Sequence, residues 1–164
     1  MPLRRLYANA GELLGLFRDR GWPTFHVQHL AQQADSPLFT PGTSFVEIHE
    51  SVRPQPGERI IQKHFPNSFH QTPLLAELKG RGVDHAVIVA AMSHMCIDAT
   101  TRAAYDLGLC CTLIHDACAT RDLEFQGKKV KADEVHASFM AALGWWYATL
   151  TTASEFAASC KQGK

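Results

Sequence analysis

The sequence predicts an open, mainly parallel α/β sheet with helices on both faces, built as one domain. Apolar runs of strand length alternate with stretches of helical period, the pattern of a layered α/β fold. Two of the runs, HAVIVAA (85–91) and LCCTLIH (109–115), are almost continuously apolar. Strands covered on both faces of a parallel sheet read that way. The chain has 164 residues, 46% apolar and 20% charged, which suits a single sizeable core.

Each element follows from a local pattern. Ala10, Leu13, Leu14 and Phe17 recur at i, i+3, i+4 and i+7, so they mark one apolar helix face, and Gly21 stops that helix. PTFHVQ (23–28) reads as a short strand. Residues 29–57 form a long loop carrying Pro41-Gly42 and Pro54-Gln55-Pro56-Gly57; a loop of that length in a compact domain is usually functional. RIIQK is a strand ending at Lys63. Thr72 reads as an N-cap with Pro73 at the first helical position, and that helix closes near Gly80 or Gly82. The strand HAVIVAA leads into a helix that carries Cys96 in its first turn and ends at Gly108. LCCTLIH is a further buried strand. Ala132, Val135, Phe139 and Ala142 mark another helix, and ATLTTAS (148–154) reads as the last strand.

Bulk chemistry excludes several classes. Lysine plus arginine and aspartate plus glutamate number 16 each, so no basic excess points to nucleic acid. No apolar run is long enough to span a bilayer, and no apolar stretch follows the arginines of MPLRRLY as a secretory signal requires. The five cysteines show no zinc-type spacing, which reads as a reducing, cytoplasmic setting.

In open α/β sheets, sites lie beyond the carboxyl ends of the strands. Lys63 and Cys96 both follow strands directly and are expected at one sheet edge. A cysteine at a helix start meets the positive end of the helix dipole, which favours thiolate. The free N–H groups there can also bind an oxyanion. Position alone fits a small buried apolar residue at 96 equally well and favours a solvated lysine at 63.

AAMSHMCIDATTRAAYDLG (90–108) resembles the isochorismatase-like cysteine hydrolase family, in its non-nicotinamidase branch. The segment SPLFTPGTSFVEIHESVRPQPGERIIQKHFPNSFHQTPLLAEL resembles the middle of that family, and HDACATRDLEF and VHASFMAALG its later parts. The likeness runs from about Ala10 onward. It implies a Rossmann-like three-layer fold and an aspartate–lysine–cysteine triad. Cys96 is then the nucleophile, Lys63 its cationic partner, and a non-proline cis peptide falls at Ala91–Met92. The backbone N–H groups of Met92 and Cys96 then form the oxyanion hole. Ala90 departs from the family's usual glycine.

The implied function is hydrolysis of a small amide, or a related C–N or C–O bond, through an acyl intermediate on Cys96. Substrate-binding candidates are His29, Phe65, Phe69 and His94, with the 29–57 loop. The family's aspartate closes an N-terminal hydrophobic strand, and no such run precedes Glu12. The expectation is therefore a single domain, 1–164, that is N-terminally incomplete and lacks its first, central strand. A catalytically impaired relative serving as a binding or assembly subunit is the alternative; a thiol redox sensor is a third reading.

No cofactor is expected. HVQHLAQQAD lacks the Asp-x-His spacing of the metal-binding branch, and His26 and His29 fall on opposite faces if the strand continues. Cys110 and Cys111 read as packing residues, and Cys118 as a structural residue of the loop that holds Asp116 and Asp122. Met140, Trp145, Trp146 and Tyr147 read as core or as a contact between copies. The resemblance implies a homo-oligomer, a small-molecule substrate, and neither nucleic acid nor membrane as partner.

Overall fold

A computed structural model of the chain describes residues 3–33, 36 and 38–162. Helix α1 (Leu3–Asp19) buries Leu6, Ala10 and Leu13 along one face. Gly21 ends it at φ 65°, a left-handed conformation that costs glycine little. Strands β1 (Phe25–His29) and β2 (Arg59–Lys63) pair in parallel, with His29 opposite Lys63. Between them the long loop holds two 3-10 turns, Ser44–Val46 and Glu50–Val52. It folds back on α1, where the His49 ring stacks on Tyr7 at 3.8 Å.

After β2 come α2 (Leu74–Gly80), β3 (His85–Ala91), a π-helical turn (Ser93–Ile97) and α3 (Asp98–Asp106). Strand β4 (Cys110–Ala119), a hairpin of β5 (Leu123–Phe125) and β6 (Lys128–Val130), α4 (Ala132–Trp146), β7 (Thr149–Thr151) and α5 (Ala153–Gln162) complete the chain. No helix among the described residues is long and apolar enough to cross a membrane.

The parallel architecture is present, but among the described residues it is split. Strands β1 and β2 form one sheet, and β3, β4 and β7 form another in that order. Helices cover both faces of β4. Leu113 and Cys118 pack with Ile97, Met140 and Leu143 on one side; Ile114 and Ala117 pack with Leu13 and Ala153 on the other. A third cluster joins Ile61 of β2 to Leu74, Leu78, Ala104 and Cys111, so the two sheets share a helical layer.

Several details correct the sequence reading. Strand β3 is half-buried rather than covered on both faces, because its edge away from β4 borders a cleft. Strand β4 runs on through His115–Ala119, so Cys118 lies in a strand and is sealed from solvent, not in a loop. Its register against β3 jumps from Ile88↔Leu113 to Ala90↔Cys118, a bulge that brings both Leu113 and Cys118 to the α4 side. Cys110 is exposed and only Cys111 packs, as strand alternation requires.

Thr72 is not the N-cap of α2. Its hydroxyl donates to Ser68 O at 2.5 Å and reaches Leu74 N only at 3.4 Å, and Pro73 takes the cap position. The supposed last strand stops at Thr151 because Thr152 and Glu155 cap a further helix, each side chain accepting from the other's backbone N–H at 3.2 and 3.0 Å. The aromatic group at the end of α4 is not one unit. Met140 is core, Trp145 and Trp146 face solvent, and Tyr147 carries the Arg102 guanidinium over its ring at 4.6 Å.

Candidate active site

A cleft of about 500 Å³ runs between β1 and β3, with α1 on one side and the start of α3 on the other. Lys63 and Cys96 both line it, Lys63 as the last residue of β2 and Cys96 beyond the carboxyl end of β3.

The burial of Lys63 follows from strand alternation. Residues of β2 two apart share a face, so Lys63 points the same way as the core residue Ile61, while Ile60 and Gln62 face out. Lys63 is only 4% exposed. Its Nζ donates to Pro66 O at 2.6 Å, and no carboxylate among the described residues pairs with it. A buried ammonium without a counter-charge is costly, so the position favours an anion.

Cys96 is a free, half-buried thiol in the π-helical turn. That turn begins just after β3, and the Ala91–Met92 peptide is cis. Cys96 is thus not in the first turn of an α-helix, which starts two residues later at Asp98. Two side chains fasten the turn to the end of β4 and to α4. The Ser93 hydroxyl lies 2.8 Å from His136 Nδ1 and donates to Ala119 O at 3.3 Å. His94 Nδ1 lies 2.5 Å from Thr120 Oγ1.

His29 sits beside Lys63 in register and stacks on Phe39 with ring centroids 4.5 Å apart. Its Nδ1 is buried with no partner among the described residues. Burial first, then the charges of Lys63 and His64, hold the ring below the usual histidine range, so it is neutral near pH 7. Phe69 also lines the cleft. Phe65 and His94 are not among its walls: Phe65 meets the His70 ring edge-on at 4.4 Å, and His94 is taken up by Thr120.

His26 serves elsewhere. Its Nε2 lies 2.8 Å from Glu58, which also accepts from Arg18 Nε at 2.7 Å and Gln55 N at 2.8 Å. Among the described residues no cluster of three histidines, cysteines or acids is arranged to hold a metal. Asp116 and Asp122 are structural ties to the ends of α5 and α4. Burial pushes the Cys111 and Cys118 thiols up to about 11.

Sequence reasoning missed one group at the cleft, a buried polar knot of Ser68, Thr100 and Pro66 O. The signal was available: Thr100 lies four residues after Cys96, the spacing of one helix face.

The isochorismatase-domain family model matches residues 2–143. The uncharacterized isochorismatase family protein YddQ of Bacillus subtilis is 49% identical over 148 residues, spanning 90% of this chain and 82% of that protein. A streptothricin hydrolase of Streptomyces noursei is 35% identical over 111 residues, 68% of this chain and 40% of its own length. The crystal structure of a provisionally assigned isochorismatase hydrolase from Oleispira antarctica matches at a TM-score of 0.91 and 46% identity, covering 94% of this chain and 82% of that one.

Proposed function

The chain belongs to the isochorismatase family of hydrolases, and from that premise we propose that it cleaves a small amide, or a related C–N or C–O bond, through a covalent acyl intermediate on Cys96. The observation that carries this reading is the sharing of one cleft by a half-buried thiol and a buried ammonium. A relative whose name is streptothricin hydrolase supports a small organic substrate.

The Cys96 thiolate attacks the carbonyl carbon, and the oxygen takes the negative charge. The N–H groups of Met92 and Cys96 hold that oxyanion, with the Lys63 ammonium steadying the thiolate before attack. As the oxyanion collapses, the bond to nitrogen or oxygen breaks and the leaving group takes from water a proton equivalent to the one Cys96 released on ionising. Water then adds to the thioester, the S–C bond breaks, and acid and free thiol are released. The neutral imidazole of His29 offers Nδ1, which has no partner among the described residues, to a polar group of the substrate, and Phe69 supplies apolar wall.

The resemblance assigns the passage of that proton to an aspartate. The cleft passes between the β1 and β3 edges that carry no partner strand among the described residues.

The test is turnover of a panel of small amides, with Cys96→Ala beside the wild type. Turnover is expected to vanish at unchanged circular dichroism, and an acyl adduct to appear by mass on the Cys96 peptide of the wild type. Undiminished turnover in the variant ends the reading. The lack of a carboxylate on Lys63 among the described residues favours one alternative, a binding or assembly subunit with an idle thiol. Iodoacetamide at neutral pH separates the two, since the exposed Cys110 serves as an internal standard. Cys96 alkylated much faster than Cys110 supports the enzyme; equal rates support the binding subunit.

A further inference from the structure

We propose that Thr100 is a positioning residue whose hydroxyl pins α3, the helix that continues the Cys96 turn, to the segment that holds the Lys63 ammonium; this rests on the nucleophile assigned to Cys96 above. Thr100 lies four residues beyond Cys96, and both line the cleft. Its side chain is buried. The hydroxyl accepts from Ser68 N at 3.1 Å, lies 2.9 Å from Ser68 Oγ, and donates to Pro66 O at 3.3 Å. Pro66 O is the same carbonyl that accepts from Lys63 Nζ at 2.6 Å.

A threonine hydroxyl has one proton and two lone pairs. The proton goes to Pro66 O, so Ser68 Oγ–H is the donor in its pair with Thr100, and the hydroxyl is fully used. The far side of the link is stiff. Phe69 N donates to Asn67 Oδ1 at 2.9 Å, and Thr72 Oγ1 donates to Ser68 O at 2.5 Å. The ammonium and the thiol's helix are therefore both referred to one carbonyl through a block with little freedom.

The next residue shows what a merely space-filling threonine looks like here. Thr101 is wholly buried, and its hydroxyl has no partner among the described residues. Valine at 101 fills the same volume with nothing lost. Valine at 100 leaves the Ser68 N–H and hydroxyl without their acceptor in a buried place.

The experiment follows iodoacetamide alkylation of Cys96 at pH 7 in the folded chain, with circular dichroism as the check on folding. Thr100→Val is expected to slow alkylation on the order of tenfold to a hundredfold, the scale of an ångström-level misplacement. Thr100→Ser is expected to recover most of the rate, and Thr101→Val to match the wild type. In a Lys63→Met background, Thr100→Val is expected to add little, because both changes remove the same influence. Thr100→Ala replaces the valine variant, under the same criterion, should the latter not fold.

Wild-type alkylation speed in Thr100→Val overturns the proposal, as does a Thr100→Ser as slow as the valine variant or a Thr101→Val equally slowed. A wild-type Cys96 that reacts no faster than Cys110 defeats the nucleophile reading and this proposal together. A fast wild type with an equally fast valine variant defeats only the role of Thr100.

Discussion

In β4, Leu113, Ile114, Ala117 and Cys118 are all sealed from solvent, whereas in β2 only Ile61 and Lys63 are buried and Ile60 stands 48% exposed. Both are parallel strands, yet β4 is flanked by β3 and β7 while, among the described residues, β2 has only β1 beside it. Strand β4 is held by helices on both faces. The β1–β2 pair leans on one buried isoleucine and on polar side chains: the Glu58 cluster ties β1 to α1, and Pro66 O ties Lys63 to Thr100. The proposed nucleophile is thus borne by the apolar half of the molecule and its cationic partner by the half that depends on hydrogen bonds.

The largest expected effect tests the apolar half. Leu113→Ala removes a fully buried side chain between β4 and α4 and is expected to cost about 2–5 kcal/mol by chemical denaturation. A cost near zero would mean that β4 is not the centre of stability.

A smaller effect is expected from Glu58→Gln, about 1–3 kcal/mol, because Arg18 and His26 lose a charged acceptor. Acid sharpens this test. The Arg18 guanidinium first, then Gln55 N–H and His26, hold the Glu58 carboxyl well below the usual carboxylate range against a partial opposing effect of burial. A folded value below the unfolded one makes the contribution complete above about pH 4.3 and lost as acid carries the protein down through the folded value. The gap between wild type and variant should therefore be constant near neutrality and close below that pH. A gap that widens on acidification would contradict the assignment.

The smallest effect is expected at Ile60→Ala. The side chain is half-exposed on the outer face of β2, so the change should stay within about 0.5 kcal/mol. A loss as large as that of Leu113→Ala would erase the contrast between the two strands.

The same contrast explains what the sequence disclosed. Helix α1, strand β2 and the strand–turn–helix around Cys96 are written in local periodicity, and these elements carry Lys63 and Cys96. The split of the sheet is not written locally, because the pairing of β1 with β2 alone depends on residues more than thirty positions apart. The π-helical turn at Cys96 and the bulge of β4 are set by neighbours, not by spacing. Two features were legible and overlooked. Gln126-Gly127 take φ 50° and 78°, the paired left-handed residues of a tight hairpin turn. Thr152 and Glu155 are the capping box of α5. His94 lies next to the proposed site in sequence, but Thr120 takes its ring nitrogen.

Asp116, on the bulged stretch of β4, has a reach beyond its own strand. It accepts from Ala153 N at the start of α5 and from Arg5 near the start of α1, while Arg20 at the far end of α1 donates to Cys160 O near the end of α5. The two terminal helices therefore lie side by side pointing the same way, and their like poles repel. A single negative charge at the shared positive pole offsets that repulsion for both, so the opening and closing helices of the fold are matched through one field that acts beside the capping box of α5.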